Sequence, residues 1–302
     1  MYKVVLWGTR TEYDYFRKWF ELEVLKGSIQ INAIVLNESK LFKKIDGIDV
    51  VGVETLQFLD CDYIIDMNQN AREKIIRIIE LLRIPFDKII PARIFGQPFF
   101  DLERWLQVRA RKVSIISSHC WGGYVYNSLG LKFQSPFINM YLDNQDFFKI
   151  LEDLHGYMQH PLQFDREEYE DNLKRNYPVV RLDDAIIHFN HYLNYDEAVT
   201  IWERRKDRIN YSNLFIEMTA KTMEDIDRFL ELPFENKVCF TMISCNENNV
   251  ISVKNPYFQK MYEDRVWHFA IATAMKSFTE CKQYDLLKLL NKEKDYLRVE
   301  DY

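Results

Sequence analysis

The chain has 302 residues, enough for about two domains of ~150 residues. Forty Lys and Arg stand against 46 Asp and Glu, a formal net charge of −6, which excludes a strongly basic nucleic-acid sleeve as the main design. Hydrophobic residues make up 47% and aromatic residues 15%, so dominant disorder is excluded, and with 9 Gly and 8 Pro so is a collagenous or low-complexity chain.

The first apolar run, Lys3-Val4-Val5-Leu6-Trp7, is too short for a signal peptide and lacks a small-residue cleavage site. No segment reads as a membrane span; Val113 to Leu131 is uncharged but carries Ser, His, Asn and three Gly. The cysteines are Cys61, Cys120, Cys239, Cys245 and Cys281, an odd count with no CxxC. A cytoplasmic protein with reduced thiols is expected, with Cys120 outside any disulfide and no structural metal site.

Residues 3–7 predict a strand that ends at Gly8-Thr9-Arg10. Tyr13, Phe16, Phe20 and Leu25 then recur at helical spacing, and Gly27 sits where a helix C-terminal glycine belongs. Ile31 to Leu36 predicts a second strand ending at Asn37. Val50, Val51 and Val53 predict a third, and Tyr63 to Met67 a fourth. Ala71 to Leu82 has helical periodicity, and Lys88-Ile89-Ile90 predicts a fifth strand. This alternation predicts an α/β protein whose N-terminal domain, residues 1–98, is a doubly wound parallel sheet of Rossmann or flavodoxin type. A connecting helix is expected over 99–111. A second α/β domain with a mixed sheet is expected over 112–302. Its strand candidates are 113–117, 136–141, 178–182, 185–190, 213–218, 237–242 and 250–254. Its helix candidates are 145–159, 196–209, 222–231 and 283–292. Asp165 to Arg175 reads as a solvated helix or excursion.

Three places concentrate reactive groups. After the first strand, Thr9 and Arg10 can bind an anionic group at a helix N-terminus, although the turn has one Gly where a dinucleotide fingerprint has three. Residues 113–142 carry a single formal charge, Lys132, yet hold Ser117, Ser118, His119, Asn127, Ser128, Gln134, Ser135 and Asn139. Within them a strand runs into Ser-Ser-His-Cys-Trp-Gly-Gly. His119 is a candidate acid or base, Cys120 a candidate nucleophile, and Trp121, Gly122 and Gly123 candidate ligand contacts at a helix start. In Arg181 to Tyr192, a strand would place Asp184, Ile186, His188, Asn190 and Tyr192 on one face, so that Asp184 can orient His188, with His191 on the other face. The helix from Asp196 to Ile209 places Arg205 on the stripe of Ala198, Ile201 and Trp202. An inward Arg205 can hold a phosphate or carboxylate together with the Gly122-Gly123 turn.

The second domain resembles a bacterial family of unknown function labelled as exopolysaccharide biosynthesis proteins. The resemblance rests on Ser117 to Gly123, Ser135-Pro136, Tyr177-Pro178, Asp184 with Ile187-His188-Phe189 and His191-Tyr192, and Trp202 to Arg205 with Arg208-Ile209. It covers about residues 113–242 and implies a role in surface-glycan assembly by glycosyl or acyl transfer. A glycosyl transferase would use Asp184 near the acceptor hydroxyl and Arg205 near a leaving phosphate. An acyl transferase would use His188 or His119 as base. The other class is a non-catalytic glycan- or nucleotide-binding subunit of an assembly complex. The expected substrate is a small molecule or glycan, nucleotide-activated, with no nucleic-acid partner. Cofactor and oligomeric state are open.

Overall fold

In a computed structural model, residues 1–36, 41–68, 72–171, 173–253, 258–264, 269, 272–274 and 284–297 are described. Asn37, Ala71, Cys281, and the margins of the 250–254 strand and the 283–292 helix lie outside these residues. The chain divides into two units, Met1–Glu103 and Arg104–Tyr302. Both combine helices with parallel strands, so the protein is mixed α/β.

In the first unit the opening apolar run forms β1 (Tyr2–Gly8), whose Val4 to Trp7 are wholly buried. Helix α1 (Arg10–Leu25) follows, with Phe16 and Phe20 turned inward, and Gly27 closes it at φ +73°, a conformation open to glycine without strain. Then come β2 (Ile29–Leu36), β3 (Lys44–Ile45), β4 (Ile48–Val51), β5 (Tyr63–Asp66), α2 (Arg72–Leu81) and β6 (Ile89–Pro91). The sheet order is β3-β4-β2-β1-β5-β6. Every pairing is parallel except β3 with β4. That hairpin turns through Asp46 and Gly47, both at positive φ, the backbone a two-residue turn between twisted strands requires. β1 lies between β2 and β5, so the chain reverses its direction of travel across the sheet at β1.

The division falls inside α3 (Leu102–Ala110). The second unit then runs through β7 (Ser114–Ser117), α4 (Trp121–Ser128), α5 (Asn144–Glu152), α6 (Leu154–Tyr157), β8 (Leu162–Glu170), β9 (Arg175–Leu182) and β10 (Ala185–His188). It continues with α7 (Tyr195–Lys206), β11 (Leu214–Thr219), α8 (Met223–Glu231), β12 (Lys237–Thr241), β13 (Val250–Ser252), α9 (Gln259–Asp264) and α10 (Leu286–Leu290). Its strands segregate into two sheets instead of one mixed sheet. β13-β12-β11-β7 is parallel throughout, and β10-β9-β8 is antiparallel.

The charged stretch from Asp165 is not a helix. It forms the end of β8 and the β8–β9 hairpin, where both faces meet solvent and Asp165 pairs with Arg166 and Arg181. Residues 136–141 do not form a strand. Tyr141 alone makes an antiparallel bridge, to His188. The helix expected over 145–159 breaks at Asp153, at φ −142°, where the side chain accepts the amide of Gly156 and starts α6. Asn194 and Thr222 cap α7 and α8 through Oδ1 and Oγ1.

One apolar core cluster contains residues of both second-unit sheets: Ile116, Ile216 and Met218 of the parallel sheet, and Val180, Leu182 and Ile187 of the antiparallel one. Phe137, Phe147, Phe189 and Trp202 belong to it, and Trp202 meets the rings of Phe137 and Phe189 edge-on at 5.3 and 5.9 Å. Each such side chain contributes roughly 1.5–3 kcal/mol when fully buried. This core fixes the carboxyl end of β7 beside the carboxyl end of β10, because Tyr141 bridges His188 and the amide of Leu142 donates to Ser118 O at 2.9 Å.

Candidate functional site

At the carboxyl end of the parallel sheet, β7 and β11 pair with Ser117 opposite Glu217. Ser117 Oγ donates to Glu217 Oε2 at 2.6 Å, and His119 Nδ1 stands 3.6 Å from the same oxygen. His119 Nε2 meets Thr219 Oγ1 at 2.9 Å. All four side chains are buried. Burial pushes the Glu217 carboxyl up to about 8, with the Ser117 hydrogen bond opposing it. Burial pulls His119 down to about 3. Both groups are therefore uncharged at neutral pH, and the cluster is a neutral hydrogen-bonded chain. Glu217 Oε1 and Ser118 Oγ are buried with no hydrogen-bond partner among the described residues.

A second cluster lies on the antiparallel sheet and keeps contact with solvent. His188 ends β10 and stacks on Tyr141, ring centroids 4.4 Å apart and 10° from parallel. Its Nδ1 is 3.2 Å from Glu168 Oε2 on β8. Tyr177, opposite Glu168 in the ladder, donates its hydroxyl to Glu168 Oε2 at 2.7 Å and lies 3.1 Å from the Tyr141 hydroxyl. Burial pulls the Glu168 carboxyl up, but hydrogen bonds from Tyr177 and Arg166 and the nearby His188 outweigh it, so Glu168 stays ionised below its ordinary range. Burial lowers the proton affinity of His188, against the pull of Glu168 and Asp143. A proton on Nδ1 facing Glu168 leaves the Nε2 lone pair free, the tautomer a general base needs. The chain turns after His188, so His191 leaves the strand alternation and brings Nε2 to 3.8 Å from Cys120 Sγ. Burial holds the Cys120 thiol up at about 11, so it is protonated, and it is a free cysteine, as are Cys61, Cys239 and Cys245.

The remaining candidates are distributed as follows. Asp184 lies at the opposite end of β10 from His188, about 13 Å along the strand at ~3.3 Å per residue. It is exposed, takes a hydrogen bond from Tyr157 and pairs with Lys149 at 3.6 Å. The carboxylate beside His188 is thus Glu168, not Asp184. Trp121, Gly122 and Gly123 are the first residues of α4, so the glycines are helical and do not form an open turn before it. A Cβ on Gly122 would stand 2.9 Å from Ile115 Cγ2, so this glycine is what lets α4 lie against β7. Trp121 is buried and stacks on Phe215 at 5.7 Å. Arg205 does turn inward, but its Nη1 donates to Tyr192 Oη at 2.9 Å and to Ile138 O, and its guanidinium lies 4.9 Å from the centroid of Phe133.

In the first unit the N-terminus of α1 is filled from within. Thr9 and Glu12 form a reciprocal cap, and Glu12 Oε2 accepts from Thr9 N at 2.9 Å, at the spot where an external anion would sit. Arg10 is paired with Asp14 at 2.9 Å. Among the described residues no group of three or more His, Cys, Asp or Glu is arranged to hold a metal ion, and no helix is long and apolar enough to cross a membrane.

Sequence reasoning missed Glu217, Thr219, Glu168, Tyr141 and Tyr177 as site members and set His191 aside. Glu217 had a signal, a lone charge inside the apolar run Leu214-Phe215-Ile216-Glu217-Met218. Glu168 had none, being one acidic residue among many between Asp165 and Asp171.

With this geometry in place, comparison with known proteins gives the class. Residues 92–291 match the family described as a domain of unknown function, DUF1919, and residues 1–90 match the family described as C2185-like, N-terminal. The chain belongs to the DUF1919 family. An uncharacterized protein of Haemophilus influenzae is 35% identical over 217 residues, covering 68% of this chain and 98% of that protein.

Proposed function

We propose that the chain is a transferase that moves an acyl or glycosyl group from an activated, nucleotide-linked donor to a hydroxyl of a small molecule or glycan, with His188 as general base. The observation that carries this reading is the half-buried pair of His188 Nδ1 and Glu168 Oε2, 3.2 Å apart. Nε2 takes the acceptor proton as the hydroxyl oxygen attacks, Glu168 stabilises the imidazolium, and the leaving group departs with the bonding pair. Acyl transfer is the better-supported branch, since it asks for an imidazole base. The glycosyl branch would use Asp184 and Arg205, and both already have protein partners.

Assignment to cell-surface or exopolysaccharide biosynthesis is supported by the sequence resemblance in residues 113–242. The strand order of the first unit, with β1 between β2 and β5, supports a doubly wound, Rossmann-like pattern there. Four free thiols among the described residues support a cytoplasmic location.

The test is turnover with nucleotide sugars and acyl-CoA donors against hydroxyl acceptors, in wild type, His188→Gln and Glu168→Gln. The reading expects a loss of 10²–10⁴-fold in kcat for His188→Gln. It also expects a smaller loss for Glu168→Gln. Donor or glycan binding without turnover, unchanged by either substitution, would instead identify a non-catalytic binding subunit.

A further inference from the structure

Arg175 opens β9 and stands two residues before Tyr177, so both project from the same face of the antiparallel sheet, about 7 Å apart along the strand. The ladder places Glu170 opposite Arg175 and Glu168 opposite Tyr177. Arg175 is therefore the next side chain along the face that carries Glu168, Tyr177 and, on β10, His188. It is half-buried, and its Nε lies out of solvent without a hydrogen-bond partner among the described residues. A buried, charged N–H left unmade is a costly state, and native proteins rarely keep one without a partner supplied from elsewhere. Its positive charge reaches His191, where together with burial it lowers the proton affinity of the imidazole, against Glu170. His191 Nε2 in turn lies 3.8 Å from the Cys120 thiol.

We propose that Arg175, on the sheet face that carries the His188 base, and His191 form a receptor for an oxyanion on the substrate, a phosphoryl or carboxylate group. The argument is one of matching chemistry. A planar guanidinium with an unmet donor binds an oxyanion through paired hydrogen bonds. A neutral imidazole adds a donor from either ring nitrogen. The inference rests on the transferase reading only for the role of the bound group, which would hold the substrate while its hydroxyl meets His188.

The experiment titrates the full chain with pyrophosphate, and separately with acetate, following the ring resonances of His191 and His188 by NMR and the heat by calorimetry. Wild type should bind at least one of the two saturably, with the His191 ring responding. Tighter pyrophosphate would identify a phosphoryl group, and tighter acetate a carboxylate. Arg175→Gln should weaken binding at least tenfold, and Arg175→Lys should recover part of it because the charge returns without the fork. His188→Gln should bind within twofold of wild type. Binding through Arg175 in a chain that shows no transferase turnover would uphold this site while removing the catalytic reading. Absence of saturable binding of either probe by wild type, or equal affinity in wild type and a folded Arg175→Gln, would overturn it.

Discussion

Replacing Glu217 by Gln should make the protein more stable at neutral and alkaline pH, and this outcome tests the neutral cluster directly. Glu217 is buried, and its carboxyl is raised to about 8 from an ordinary value of 4.5. Below pH 4.5 both the folded and unfolded chains hold the proton, so the group has no pH effect there. Between 4.5 and 8 the unfolded chain releases the proton while the folded chain keeps it. Each pH unit in that window therefore favours unfolding by about 1.4 kcal/mol. At pH 7 the cumulative penalty is roughly 3 kcal/mol, a large share of the ~5–15 kcal/mol that holds a domain folded. Gln keeps the shape and the acceptor for Ser117 Oγ but has no proton to lose. Glu217→Gln should match wild type within about 1 kcal/mol near pH 4.5 and exceed it by roughly 3 kcal/mol at pH 7. Urea unfolding at the two pH values, with amide exchange of β11 marking the transition of the second unit, gives the comparison. A stability difference that is the same at pH 4.5 and pH 8, or a variant weaker than wild type at pH 8, would refute a protonated Glu217.

Four other outcomes are expected. His119 is held near 3 against an ordinary 6.5, so its contribution is present above pH 6.5 and lost as pH falls toward 3; with Glu217 it should give wild type a stability plateau between about pH 4.5 and 6.5, read from unfolding midpoints across the range. Glu168→Gln removes a group that raises the proton affinity of His188, so NMR titration should find the His188 pKa lower than in wild type. Arg205→Ala should destabilise by roughly 2 kcal/mol or more through the lost charged hydrogen bond to Tyr192, read as a fall in Tm. Gly122→Ala should destabilise by about 1–3 kcal/mol despite the better helix propensity of Ala, because its Cβ meets Ile115, and calorimetry would show the fall.

The alternation of strand and helix in the first unit was legible because each element announces itself locally. Val4 to Trp7 is a short apolar run, Phe16 and Phe20 repeat at four residues, and Gly27 stands where only a positive φ continues the chain. The Asp46-Gly47 turn carried the same kind of signal and was passed over. In the second unit, local signals found β7 and β9 to β13 but failed for Asp165 to Glu170, since a strand solvated on both faces has no apolar alternation to show. The charge-poor segment and the strand holding His188 stood out locally, but their partners came from distant parts of the chain. Glu168 reaches His188 across two strand pairings, and Glu217 reaches Ser117 from one hundred residues away. Sequence spacing holds no information about such pairs. The helical stripe of Ala198, Ile201 and Trp202 left room for an inward Arg205, while the tyrosine that receives it was invisible for the same reason.

The pairing of β7 with β11 bears on how the chain is born. Among the described residues β7 is an edge strand of the parallel sheet, bonded there to β11 alone, and their register joins Ser114 to Leu214. During synthesis at about 5–20 residues per second, the run around Ile115 and Ile116 leaves the ribosome roughly 5–20 s before its partner exists. Over that interval it sits in a thirty-residue stretch with a single formal charge, the composition least able to repel a neighbouring nascent chain. The intervening hairpins β8–β9 and β9–β10 are local and can close in microseconds, well before that wait is over. The antiparallel sheet can therefore close before β11 exists, and the strand that carries Ser117 pairs only after it. Ribosome spacing, growth temperature and chaperone supply should then set the yield of this protein more strongly than its final stability does.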